Sequence, residues 1–421
     1  MNPFKKRTLW GILALTFLLP AFSSITNWGF FAHRRINRLA VFTLPIDLIP
    51  FYKKHIDYLT ENAVGPDKRR YAVATEGIRH YIDLDVWGIT PFNNLPRNIV
   101  EANRSFTEIL VLNEQQDSIK LFGQQMEFKT DGSLVLKGDN YQQFFGRDSL
   151  FIDQEDYEDY FYHKIYNPLY EKEWTIDCAV LQDYFDRYDF VLPCDKAIAV
   201  NTFVEHGVLP YNLIRLQRNL TKAMEVMDSD LILRLSADIG HYIGDAHVPL
   251  HTTSNYNGYQ TDQIGIHAFW ETRLPELFAD EQFDYFVGQA TYIEDPTSYY
   301  WNIVLTSHAL VADVLTIEKE LSQTYPKDQQ DCFVERGTGV LQNIPCVAYA
   351  EKYHLLLEGQ VEQQMRAAIR SVGDAWYTAW INAGQPDLSR AHRKKVSLEE
   401  QKEKEDLERT FNLGKILGRK H

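Results

Sequence analysis

The sequence predicts a mainly α-helical fold, a multi-helix bundle carrying one small β-hairpin insertion. Three observations point there. Apolar residues recur at three- and four-residue intervals through long stretches near both ends of the chain. Strand-like runs are confined to about 105–140, where "TDG" supplies a tight-turn signal between two of them. The 421 residues are 45% hydrophobic and 24% charged, which is ample for a substantial core.

Taken in order, "MNPFKKRTLWGILALTFLLPAFSS" opens with Lys5, Lys6 and Arg7, an apolar run from Leu9 to Phe22, and then small residues. That order is expected of a secretory signal peptide over 1–27, cleaved somewhere in 23–27. The run is short for a membrane span, and no later stretch reads as long and apolar enough for one. From Trp28 to about Asp85, "INRLAVFTLPIDLIPFYKKHIDYLTENAV" has helical spacing. An insertion of about 90–190 follows, with "TEILVLN", "SIKLFGQQMEFK" and "SLVLKG" as its strands. The acids of "FIDQEDYEDYFYHKIY" fit a solvated helix face, since EF-hand spacing is absent.

Helix returns after Cys194. "LIRLQRNLTKAMEVMDSDLILRLSADIGHYIGD" is one long helix or two shorter ones, and two amphipathic stretches follow, beginning at Trp301 and Glu351. Residues 386–421 are densely charged, as in a peripheral helix or a tail. Four cysteines, spaced as Cys178/Cys194 and Cys332/Cys346, suit two local disulfides in an exported protein; no C-x2-C pair favours a thiolate zinc site. Asn103 and Asn219 lie in glycosylation sequons. A net charge of -15 opposes a broad grip on nucleic acid or an anionic bilayer, so an anionic substrate needs a strong local positive centre. No stable nucleic-acid or protein partner is expected.

Chemistry concentrates in "HYIGDAHVPLH", residues 241–251. With helix continuing to about Ala246, His241 and Asp245 share a face four residues apart. Pro249 disfavours helix at Val248, so His251 arrives from the following turn. His247 falls off the 241/245 face and reads as structural. "HAFWE" repeats the spacing with His267 and Glu271. One such pair is an ordinary helix ion pair; two of them flanking a post-proline histidine point to metal. "WGFFAH" adds Trp28 and His33, and "PDKRRYAVATEGIRHYID" adds Asp67 and His80.

With these motifs in this order, the chain resembles the zinc-dependent phospholipases C and the S1/P1-type nucleases. "HGVLPY" and "AWYTAWINAG" are further landmarks of that resemblance, which runs from Trp28 to about Gly384 apart from the insertion. It implies a mainly helical zinc phosphodiesterase domain over 28–385 with three Zn²⁺ in a cleft. One ion would be held by Asp67, His80, His241 and Asp245, and a second by His251, His267 and Glu271. The third would be held by the backbone of Trp28, by His33 and by Asp245 as a bridge. That family uses the free amine of an amino-terminal Trp. A signal cut after Ser23, with Ala21 at the other small-residue position, instead leaves Trp28 inside the chain, so the third ion is expected to be the most labile.

Three Zn²⁺ contribute +6 against three carboxylates, leaving about +3 in the cleft, the centre that an anionic substrate requires. The expected reaction is phosphoric ester hydrolysis by metal-activated water, with Asp67 as ligand and as the residue orienting or deprotonating that water. Asp83 and Arg69 are candidate substrate contacts, with Arg70 beside them. Glu at 271 resembles the phospholipase branch, and the short Trp28–His33 interval resembles the nuclease branch. The substrate is accordingly a phospholipid headgroup or, alternatively, single-stranded nucleic acid or a nucleotide. A non-catalytic zinc-binding or adhesion module is the reading from another class; the second site, with three protein ligands and room for water, speaks against a closed structural clip.

Overall fold

The structure is a computed structural model that describes residues 30–114, 117–122, 126–137, 142, 148–336, 340–392, 398–414, 416–417 and 419. It is 58% helical, with only small sheets. The expected signal segment and Trp28 lie outside the described residues.

The bundle is organised around the helix Ser229–Ala246, which is buried along nearly its whole length. Leu209–Glu225, Gln360–Asn382 and the first helix, Phe30–Ala40, pack against it. The stretch from Leu213 to Asp245 is therefore two helices. The break falls at Asp228, whose carboxylate caps the second by accepting from Leu231 N. The core is aromatic at its centre. Trp376 is fully buried, donates from Nε1 to Ser236 O at 3.1 Å and stacks on Tyr52 at 4.7 Å.

Two glycines allow the first helix to approach. A methyl group added at Gly240 would lie 2.0 Å from Asn37 Oδ1, and one at Gly244 would lie 2.8 Å from His33 Nδ1. Asn37 uses the space to donate to Ala237 O at 3.1 Å. The contact therefore sets both the helix crossing and the position of His33.

The β insertion is present and extends beyond a hairpin at 105–140. Strands β1 (Thr107–Leu112) and β2 (Ser118–Phe122) join β6 (Glu173–Ile176) and β7 (Lys196–Asn201) in a sheet of order β2-β1-β7-β6. Strands β3 (Glu127–Phe128), β4 (Ser133–Lys137) and β5 (Ser149–Asp153) form another. "SIKLFGQQMEFK" is thus divided between two sheets. The "TDG" turn joins β3 to β4, with Gly132 at φ 84°. The insertion buries a hydrophobic core of its own, including Phe122, Tyr157, Phe161 and Phe185. Tyr157 and Phe161 belong to the acidic helical stretch, whose carboxylates face outward.

Two other features were not expected. Strands β8 (Asp331–Arg336) and β9 (Val340–Pro345) form a second hairpin, clipped at its base by the Cys332–Cys346 disulfide. Cys178 pairs with Cys194, so all four cysteines are bridged, which suggests an extracellular or periplasmic protein. In addition, Pro296–Thr324 is long and apolar enough, by length and composition alone, to cross a membrane, with mean hydropathy 1.2. Its helix is interrupted at Leu310, and Tyr300, Trp301 and Val304 sit in the core. Asn103 is also buried, donating to Ile99 O at 2.8 Å, so its sequon is inaccessible in the folded chain.

Candidate metal centre

The helix carrying His241 and Asp245 ends at Ala246. Val248 is extended, and the 3-10 turn Pro249–Thr252 brings His251 back beside the helix end. His251 donates from Nδ1 to the carbonyl of His80, and Ile82 N donates to His251 O at 2.9 Å. These bonds lock the "HYID" loop to the post-proline turn. They also place the His251 proton on Nδ1 and leave Nε2 facing inward. His241 is oriented in the same way, with Nδ1–H donating to Ala63 O at 2.8 Å.

Eight predicted ligands within the described residues converge here. Three groups could each hold a metal ion: Asp67, His80 and His241; His251, His267 and Glu271; and His33, His241 and Asp245. Ligand atoms within each group lie within 4.8 Å of one another. Asp245 Oδ2 lies 3.0 Å from His80 Nδ1 and 3.3 Å from His241 Nε2, while its Oδ1 lies 3.4 Å from His33 Nε2. Asp245 therefore spans two groups. Glu271 spans two as well, which the sequence did not suggest. Its Oε2 is 2.7 Å from His267 Nε2 and 3.3 Å from His251 Nε2, and its Oε1 is 3.3 Å from His33 Nε2. A π-helical turn over Phe269–Arg273 carries Glu271 to this position.

The electrostatics fit cations. Burial drives the imidazoles of His80, His241 and His267 below their ordinary range, so they are neutral and able to ligate. Burial also pushes Asp67 and Asp245 up, and Asp245 rises further because Glu271 and Asp67 face it. Burial opposes the Glu271 carboxylate too, yet His267 and His251 hold it well below the usual value. Among the described residues His33 Nδ1 has no hydrogen-bond partner. Neutral imidazoles and mutually repelling carboxylates in one buried space are stabilised by divalent cations. Nitrogen and oxygen donors with every thiol bridged suit a borderline ion such as zinc. A scan against protein-family models finds no match for the chain, and a search of curated proteins finds none.

The remaining candidates are distributed unevenly. Arg69 is held by Glu76 at 3.2 Å and Asp238 at 3.1 Å. Arg70 instead pairs with Asp67 at 3.7 Å and is the arginine that faces the ligand groups. Asp83 is buried and accepts from Arg419 at 2.7 Å. Tyr81 and Tyr256 flank the same Arg419, at 4.1 Å and 3.5 Å from ring centre to guanidinium. His247 turns away and donates from Nδ1 to Ile243 O at 2.8 Å. Neither Tyr256 nor Arg419 stands in a motif. Only the doubled tyrosines of "SNYNGY" give any signal.

Proposed function

We propose that the chain is a metal-dependent hydrolase of phosphoric esters, related to the zinc phospholipases C and S1/P1 nucleases. One observation carries this reading: two His/Asp/Glu groups share His241, and the third adjoins them through Glu271 and His33 at 3.3 Å, in one buried site. Bound divalent cations would make water more acidic and offset charge on a phosphate. Asp67 is the most exposed of the carboxylate ligands, at 21% of its side chain, against 2% for Asp245 and 10% for Glu271. It can therefore meet both an ion and solvent, as a residue that orients water or receives its proton must. Arg70 beside it would donate to a phosphate oxygen.

The preferred substrate is a phospholipid headgroup, on the resemblance carried by Glu271. The paired rings of Tyr81 and Tyr256 favour a second reading, a nucleotide whose base enters between them. The zinc-loaded protein should hydrolyse bis-nitrophenyl phosphate; no turnover at full metal occupancy would leave a non-catalytic metal-binding module. Phosphatidylcholine and single-stranded DNA then separate the branches. Diacylglycerol is the expected product, and nucleotides without diacylglycerol would replace the lipid reading with the nuclease one.

A further inference from the structure

The helix Leu398–Leu413 does not stand off as a solvated tail. Its Phe411 packs edge-on against Tyr71 at 5.0 Å and lies 5.7 Å from the Lys68 ammonium. The helix therefore docks on the segment that carries Asp67. Beyond it, Leu417 N donates to Arg70 O at 2.9 Å, and Arg70 donates from its side chain to the carbonyl of Arg419. Arg419 donates to Asp83 Oδ1 at 2.7 Å and to Thr253 O at 2.9 Å, with its guanidinium between Tyr81 and Tyr256. Its side chain is 12% exposed. Tyr256 in turn contacts the His267 ring at 6.2 Å.

We propose that Leu417 and Arg419 belong to a strap that lies over the side of the candidate metal site bounded by Arg70, Asp83 and Tyr256 and holds it in an inhibited state, with Arg419 in the place of a substrate. The inhibition rests on the hydrolase reading; the covering contact does not. Arg419 takes up three recognition groups at once. It fills the gap between the two rings, neutralises Asp83, and through its carbonyl occupies an Arg70 donor that would otherwise meet an anionic oxygen. A phosphate makes that last bond with charge on both sides, whereas the strap makes it with a neutral carbonyl. Substrate and strap are mutually exclusive at Arg70, so apparent affinity falls by the fraction of molecules that are uncovered.

The test uses the full chain and its variants Arg419→Ala, Arg419→Lys and Phe411→Ala. Nitration of Tyr256 by tetranitromethane, mapped by mass spectrometry, reports the cover without metal or turnover. Hydrolysis of bis-nitrophenyl phosphate by the zinc-loaded protein reports inhibition. Arg419→Ala and Phe411→Ala are expected to speed nitration and to raise kcat/KM by about tenfold, as for a cover closed nine-tenths of the time. Arg419→Lys, which keeps charge but loses the stacked plane, should fall between. Unchanged nitration overturns the strap. Faster nitration with unchanged or lower kcat/KM overturns the inhibition. Faster nitration with no hydrolysis by any chain, the parent included, supports the cover and rejects the hydrolase reading.

Discussion

At the scale of single residues, Asp67 is the side chain on which the proposed chemistry depends most. Asp67→Asn preserves shape and removes the charge. It should lower kcat/KM by roughly 10²–10⁴-fold while retaining most of the metal, as read by elemental analysis beside kinetics. A fall in metal content of the same proportion would mark it as a ligand alone. His247 supports a prediction about stability. Burial depresses its imidazole from 6.5 to about 4. The unfolded chain therefore binds the proton first as pH falls, and folding stability present above pH 6.5 is lost progressively down to about 4. The loss approaches roughly 3 kcal/mol. Chemical denaturation across that window should show a shallower acid limb in His247→Gln, whose amide can keep the bond to Ile243 O. The clustered His, Asp and Glu side chains were legible at this scale because two imidazole–carboxylate pairs flanking a post-proline histidine are more specific than one such pair alone. Arg419 was not legible. It meets Asp83 across 336 positions, and no local pattern encodes so distant a pairing.

At the scale of elements, the contact of the first helix with Ser229–Ala246 places His33, and it depends on missing side chains at Gly240 and Gly244. Gly240→Ala meets Asn37 and Gly244→Ala meets the His33 ring. Each should cost about 1–3 kcal/mol in thermal or chemical unfolding, because an overpacked contact must open. Gly244→Ala should in addition reduce metal content, whereas Gly240→Ala, one turn away, should alter stability more than metal. Helices were readable because their period is local, and Pro249 marked one end; the breaks at Asp228 and Leu310 were not, since neither interrupts the apolar spacing. The sheets were less so. Strand β7 pairs with β1 along Thr107–Leu112, yet some eighty residues separate them, and such a pairing leaves no periodic trace. The β8–β9 hairpin escaped because its cysteines were read for their pairing rather than for the strands they bracket.

At the scale of the whole molecule, the three metal groups are unequal. His241 belongs to two of them, Asp245 and Glu271 reach across the boundaries, and only His33 belongs to the third group alone. An ion beside His33 therefore shares its other described ligands and should leave first. Chelator titration with metal counting should show one ion lost before the other two; simultaneous loss of all three would contradict this. The net charge of -15 would matter to a site loaded with divalent ions, since the outer field repels the anions that such a site would attract. Turnover of an anionic ester should accordingly quicken as salt screens the surface.

The register of the larger sheet sets how separable the insertion is from the bundle. Thr107 lies directly opposite Asn201, and Thr202 N donates to Phe106 O at 3.1 Å, so the chain departs from the bundle and rejoins it at a single doorway. The described residues between bury a hydrophobic interior of their own, while Tyr170 reaches back into the core of the bundle. Splicing Phe106 to Thr202 through a short turn should yield a shorter protein that still folds and takes up as much zinc as the parent chain, as read by elemental analysis.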